Sequence, residues 1–301
     1  MISSKVKVAV LRGGPSSEYE TSLKTGARVI SLLNDLADIY EPLDIFISRS
    51  GEWHVEGLVR EPHQALQHAD VVWNALHGRF GEDGQVQKLL ENLRKPFTGS
   101  SQMSSFLSAN KHLTKDLYEQ AGLLTPRHAL VMGGYTNDDL VSIFRNYLHP
   151  VIVKPANSGS SIGTSIATSF KELKDAVDLA LTHAQRVLVE EFVKGKEATC
   201  GVVESMRGEH LYALLPHGNL SVLENKRVEE MAKRAHEVLS LRHYSDSDFV
   251  VTDKGKIYIL ETNSSPVLAE DSTFHHSLGA VGLRHHDFVD HVIRLSLGKN
   301  L

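Results

Sequence analysis

The chain has 301 residues, 41% hydrophobic and 23% charged, with a formal net charge of -5, which is room for roughly two compact domains at about 150 residues each. This ordinary balance excludes disordered, collagenous and coiled-coil readings, and the negative charge argues against a nucleic-acid binder held by a broad positive field. The lone cysteine, Cys200, can form neither an intrachain disulfide nor a thiolate-rich zinc site, and no apolar run has the length of a signal peptide or membrane span, so a soluble cytoplasmic protein is expected.

In chain order, strand-like and helix-like segments alternate, which favours an α/β organisation. Lys5–Arg12 alternates lysine with valine and leucine and breaks at Gly13-Gly14-Pro15. A helix follows: Ser17 and Glu20 have capping-box spacing, and Leu23, Ala27, Ile30 and Leu33 share an apolar face. Pro42–Ser48 and Asp70–Leu76 read as strands, and Val86, Leu89, Leu90 and Leu93 mark a helix that Pro96 stops. Together these make a small open sheet over residues 1–100. Residues 101–186 open with one helical stretch through Lys111 and Leu117, ending near Gly122 and Pro126. A short strand, a helix over Leu140–Leu148 and the apolar strand Val151–Lys154 come next. A serine-glycine loop, a returning strand and a helix with a Ser169–Glu172 capping box complete this portion. Residues 187–301 begin with the strand Val187–Phe192 and two further strand-like runs. They continue with a charged helix over Glu224–Leu241, paired strands at Phe249–Thr252 and Ile257–Leu260, and a helix over Phe288–Leu297. No repeat or low-complexity linker separates the three portions, so they are expected to pack closely.

Four stretches carry candidate chemistry. Lys154 precedes the loop Asn157-Ser158-Gly159-Ser160-Ser161-Ile162-Gly163. Glycines let backbone N–H groups turn toward a ligand, and a neighbouring lysine neutralises phosphate charge. The lysine comes before the glycines, so this is not a Walker A loop. The spacing matches a nucleophile elbow, but that motif needs a helix directly after the serine, and Thr164–Ala167 looks like a strand. A flap over phosphates fits better, with a surface turn as the plain alternative. Asp248, Glu261 and Asn263 place three oxygen donors on adjacent strand-like runs, a set that suits Mg²⁺. Glu261 and Asn263 are two apart and share a strand face; an ordinary polar strand end is the alternative. Gly13–Glu18 is a strand-to-helix turn that could hold an anion, and Leu76–Gly84 is a glycine-rich turn, either ligand-facing or solvated. The pairs His275-His276 and His285-His286, with His291, lack metal-ligand spacing and are expected on the surface, and Cys200 in the core.

Four motifs in the same order resemble the D-alanine–D-alanine ligases of the ATP-grasp superfamily. They are Val8–Glu18, Ala75–Gly84, Lys154–Gly163 and Glu261-Thr-Asn-Ser-Ser-Pro266. The resemblance implies an ATP-grasp fold of the α/β (α+β) class. It has a small N-terminal parallel α/β domain (1–100) and two α+β subdomains (101–186 and 187–301) that clamp ATP. Lys111 and Lys154 would contact phosphates, and Ser160 and Ser161 would lie in the loop closing over them. Glu190, Glu191, Val193 and Glu197 would hold adenine and ribose, and Asp248, Glu261 and Asn263 would bind Mg²⁺, or Mn²⁺ in its place. Glu18 would take the ammonium of the first D-alanine, with His77 and Ser272 on the substrate side and Ser160 steering the loop. The implied reaction makes an acyl phosphate and then D-alanyl-D-alanine for peptidoglycan, in a cytoplasmic homodimer acting on small amino acids, away from nucleic acid and membrane.

Three departures qualify this reading. The family's long loop before the charged helix is short here, at Leu211–Leu223, and its oxyanion arginine is replaced by Asp246. The glycine after the Asn-x-x-Pro stretch is Val267. Loss of one oxyanion donor costs roughly 3–4 kcal/mol, unless Arg242 or Lys226 swings in. Two alternatives follow: a related ligase with another acceptor, such as a cationic amino acid drawn by Asp246, or a non-catalytic nucleotide-binding homologue.

Overall fold

The structure, a computed structural model, describes residues 5–157 and 163–298. The first sheet contains β1 (Val6–Gly13), β2 (Tyr40–Ile47), β3 (Trp53–Val55), β4 (Leu58–Arg60) and β5 (Val71–Asn74), in the order β4-β3-β2-β1-β5. Its helices are α1 (Tyr19–Asn34), α2 (Pro62–Ala65) and α3 (Gln85–Asn92). β1 runs parallel to β2 and β5, and its Val8–Leu11 is fully buried, as expected for a strand covered on both faces. The sheet is not parallel throughout: β3 and β4 add an antiparallel hairpin at the edge. Strands of three residues are too short to show a period, so the sequence pattern misses them.

Two expectations about α1 are corrected, although Leu33 of the expected face is buried. Its buried stripe is Ser22, Thr25, Gly26, Val29, Leu32 and Leu33, whereas Ala27 is exposed. The helix lies so close to β1 that a Cβ on Gly26 would come within 2.5 Å of Arg12 Cβ. Close approach thus selects small residues over a leucine face. The Ser17–Glu20 box does not form either: Glu18 occupies the N-cap position, and Glu20 pairs with Arg49 at 3.0 Å.

The single helical stretch expected around Lys111 is two helices, α4 (Gln102–Ala109) and α5 (Lys111–Gln120), broken at Asn110 (φ −107°, ψ 86°). The second sheet follows, with β6 (His128–Met132), α6 (Asn137–Asn146), β7 (Val151–Pro155), β8 (Ser165–Ala167), α7 (Phe170–Leu181) and β9 (Arg186–Glu191). Its order is β6-β9-β7-β8, and every pairing is antiparallel. Val151, Val153, Val187 and Val189 share a core with Leu173 and Val177 of α7. The alternate residues Ile152, Lys154 and Glu190 therefore face the other way, toward α5. At α7, Ser169 caps the N–H of Glu172, but the Glu172 carboxylate accepts from Thr168 instead of closing the box.

The third sheet comprises β10 (Lys196–Glu204), β11 (Leu211–Ala213), β12 (His217–Gly218), β13 (Tyr244–Val251) and β14 (Ile257–Asn263). It carries α8 (Val222–Val238), α9 (Thr273–Ala280) and α10 (His285–Ser296). β13 and β14 are longer than expected, and their register sets Asp248 opposite Glu261 and Asp246 opposite Asn263. Cys200, Val202, Phe249 and Ile259 pack under α8, as the core reading of Cys200 requires. Burial pushes its thiol far up, so it is inert as a nucleophile.

The first and third sheets share a core in which Val8 and Trp73 join Tyr244, Phe274 and Phe288. A histidine cluster reinforces that seam and corrects the surface reading of His291, which is buried with Nε2 2.7 Å from Glu204 O. His275 and His285 are half-buried and stack at 3.7 Å. In the same seam His243 Nδ1 accepts from Gly99 N at 3.0 Å, and burial pushes the imidazole down to about 4. Glu204 is pushed up by burial, but hydrogen bonding with His236 and the His243 N–H outweighs this and holds its carboxyl low. Both shifts act in the same direction. At these two sites the unfolded chain binds protons that the folded one refuses, so their contribution to stability is full above about pH 6.5 and is lost as the pH drops toward 4. The His243 part is about 3 kcal/mol. His243→Asn, which tolerates the left-handed backbone here (φ 71°), is expected to flatten the melting-temperature profile between pH 4 and 6.5 in thermal unfolding scans.

Candidate active site

Two cavities, of about 460 and 500 Å³, meet where the three sheets converge, and both are bordered by Glu18, Glu82, Glu261 and Asn263. The first also contains Asn110 and Lys111 from the α4–α5 break and Asn157 from the turn that follows β7. The second adds Thr199, Asp246, Asp248, Val267 and Ser272.

The cations and carboxylates form two interlocked sets. Lys111 pairs with Glu261, which burial pushes up but Lys111 and Lys154 hold below the ordinary carboxylate range. Glu190 lies between two lysines, with Lys154 Nζ at 3.0 Å and Lys115 Nζ at 3.1 Å on opposite oxygens. Lys115 has no exposed surface; it donates to Thr125 Oγ1 at 2.7 Å, and burial lowers its ammonium to about 8. Glu190 therefore uses its side chain to hold lysines.

Asp248 Oδ1 accepts from Thr199 Oγ1 at 2.6 Å, and its carboxyl is raised by burial and by Glu261. Asn263 Nδ2 donates to Asp246 Oδ1 at 2.9 Å, which turns the amide oxygen away from that contact. Burial, and then Asp248, push Asp246 up to about 8. Asp248, Glu261 and Asn263 thus form a hard oxygen set around mutually repelling carboxylates, chemistry that fits a divalent cation. Among the described residues, no lysine or arginine lines the second cavity. Arg242 and Lys226 are both exposed and outside it. Val267 lies outside the left-handed region, so valine sits there without backbone strain.

On the substrate side, Glu18 borders both cavities, and burial and Glu82 raise its carboxyl. His77 is buried, with Nε2 2.9 Å from Thr25 Oγ1 and Nδ1 2.9 Å from Glu82 Oε1. Both ring nitrogens are taken, so Glu82, which sequence reasoning missed, faces the cavity and His77 orients it. Ser272 caps α9 and donates to Val267 O at 2.6 Å while bordering the second cavity. Within the Gly13–Glu18 turn the two glycine N–H groups are not free for an anion: Gly13 N donates to Ser22 Oγ and Gly14 N to Ile47 O. Glu191 accepts from Leu148 N, Val193 is half-buried and Glu197 is exposed, all along the link from β9 into β10. Ser160 and Ser161 lie outside the described residues. The strands flanking their loop, β7 and β8, are antiparallel neighbours, so no helix follows as a nucleophile elbow requires.

The D-ala D-ala ligase C-terminus family matches residues 117–217 and 214–294, and the D-ala D-ala ligase N-terminus family matches 58–100. The D-alanine--D-alanine ligase of Aquifex aeolicus is 36% identical over 88% of this chain and 92% of its own length. The chain belongs to the D-alanine–D-alanine ligase family. Its fold is that of the family's solved members. The Coxiella burnetii D-alanine-D-alanine ligase superposes with a TM-score of 0.88 at 24% identity, covering 98% of this chain and 94% of that one. The Bacillus anthracis D-alanine--D-alanine ligase, solved in complex with ATP, gives 0.81 at 25% identity over 97% of each chain. In this ATP-grasp ligase each of the four motifs contributes described residues to the cavity walls, among them Glu18, Glu82, Asn157 and Glu261. No described helix is long and apolar enough to cross a membrane.

Proposed function

We propose that this ligase joins two D-alanine molecules into D-alanyl-D-alanine at the expense of ATP, supplying a peptidoglycan precursor in the cytoplasm, as a homodimer. The supporting observation is the meeting of Lys111, Glu261, Asp248, Asn263 and Glu18 at two adjoining cavities. In the first step a carboxylate oxygen of the first D-alanine bonds to the γ-phosphorus and the bond to ADP breaks. In the second, the amine of the other D-alanine bonds to the acyl carbon, phosphate leaves and the amine releases a proton. Lys111 and Lys154 hold the phosphates and offset the charge that moves with the phosphoryl group. Glu18 binds the ammonium of the first D-alanine, and His77 fixes Glu82 beside it. Glu190 keeps the lysines in place, while the 190–197 link holds the nucleotide base and sugar. Asp248, Glu261 and Asn263 would hold Mg²⁺, which when bound draws phosphate charge onto itself.

Incubation with Mg²⁺-ATP and D-alanine, with ADP release and product mass followed together, tests the reading; ADP release indifferent to D-alanine refutes it. Glu18→Gln removes a charge-assisted contact of about 1.5–3 kcal/mol. It is expected to lower kcat/KM for D-alanine by about 10- to 100-fold in the same assay and to leave ATP affinity unchanged. A second reading has its own support. The second cavity is bordered by Glu18, Glu82 and Asp271, with no lysine or arginine among its described lining, and a cation placed there would draw the raised carboxyl of Asp246 back toward its ionised form, which favours a cationic acceptor. An acceptor panel separates the two, since a clear preference for D-alanine removes the second.

A further inference from the structure

Away from both cavities, where α5 meets β6, His112, Asp116 and His128 bring three ligand atoms within 4.8 Å of one another. His112 and Asp116 are four apart on α5 and so share a helix face, while His128 opens β6. His112 Nε2 lies 3.7 Å from Asp116 Oδ2, and His128 Nε2 lies 3.5 Å from Asp116 Oδ1. These separations are too long for hydrogen bonds between the groups. They are close to the roughly 3.4 Å between neighbouring ligands on a tetrahedral ion with bonds of about 2.0–2.1 Å. We infer that His112, Asp116 and His128 bind one zinc-like divalent cation, with water completing its shell.

The surroundings of His128 support this. Its Nδ1 is 3.4 Å from Pro126 O, a carbonyl that can only accept, so the tautomer that donates there turns the Nε2 lone pair toward Asp116. His112 Nδ1 is buried without a partner, so that ring is positioned by its edge-on packing against His128, with centroids 5.6 Å apart. All three residues are half-buried, which leaves an approach from solvent. Two imidazoles and a carboxylate suit Zn²⁺, whereas the all-oxygen set of Asp248, Glu261 and Asn263 suits Mg²⁺. The ion would pin α5, the carrier of Lys111 and Lys115, to β6, whose partner β9 carries Glu190. The inference is independent of the proposed reaction.

Titrating the chelator-stripped full chain with Co²⁺ in excess Mg²⁺ tests it. The expected result is one equivalent with the intense visible absorption of tetrahedral Co²⁺, displaced by Zn²⁺ and accompanied by a higher melting temperature. His128→Gln and His112→Gln are each expected to lower affinity at least tenfold, with His285→Gln, at the other histidine pair, binding like wild type. Asp116→Asn, at a partly exposed position, serves if a histidine variant misfolds by circular dichroism. A wild-type chain without the tetrahedral spectrum, or variants that keep it undiminished, overturns the inference.

Discussion

Glu190→Gln is expected to lower the free energy of unfolding by about 3–5 kcal/mol, read from the urea midpoint at pH 7. Glu190 is 1% exposed and is the counter-charge to two lysines. Lys154 retains some surface, with 14% of its side chain exposed, and can turn to water once released. Lys115, at 0%, cannot. Losing the carboxylate leaves an ammonium with one neutral partner, Thr125, in a space that already depresses its ionisation. The cost comes from this uncompensated charge and not from the pair's own attraction. The double variant Lys115→Met plus Glu190→Met removes both charges and is therefore expected to be more stable than Glu190→Gln alone. A loss below about 1 kcal/mol in Glu190→Gln would show that water already reaches Lys115.

Glu190 also marks how far the sequence carries. Its strand is visible as an apolar run ending in acids, but Lys115 is not singled out by any pattern. Lysine at that position of a polar helix reads as solvated, and only the packing of α5 on the second sheet makes it a buried partner. Asp248, Glu261 and Asn263 are a similar case with the opposite outcome. The period-two rule places Glu261 and Asn263 on one face, and the structure keeps them there. Their alignment with Asp248 rests on the β13–β14 register, including the irregularity after Asp248, which local patterning does not encode. Sequence order alone could recover the family because its motifs are contiguous. The pairing of His77 with Thr25, and of His112 and Asp116 with His128, joins residues from separate elements and is out of reach of local patterning, whereas Glu82 lies in the same turn as His77. At Gly13-Gly14, local sequence cannot tell an N–H free for a ligand from one already held by Ser22 or Ile47.

Lys111→Met is expected to lower kcat/KM for ATP by about 10²–10³-fold, the usual cost of one missing electrostatic donor at a reacting centre. Two effects combine. The variant loses a positive charge at the cavity wall, and it releases Glu261, whose negative charge then faces the incoming phosphates. The Glu261 side chain is 25% exposed, so its freed carboxylate can hydrate, unlike Lys115 after loss of Glu190. Stability is therefore expected to change by less than about 2 kcal/mol, since a carboxylate with a quarter of its side chain in water carries only part of the burial penalty. Activity and folding thus separate at Lys111 in a way they do not at Glu190. Lys111→Arg keeps the charge and should retain more activity than Lys111→Met. Coupled ADP release at several ATP concentrations, with urea unfolding on the same samples, tests both halves. An ADP-release rate for Lys111→Met within tenfold of wild type would remove Lys111 from the phosphate-binding set and leave it as a structural partner of Glu261.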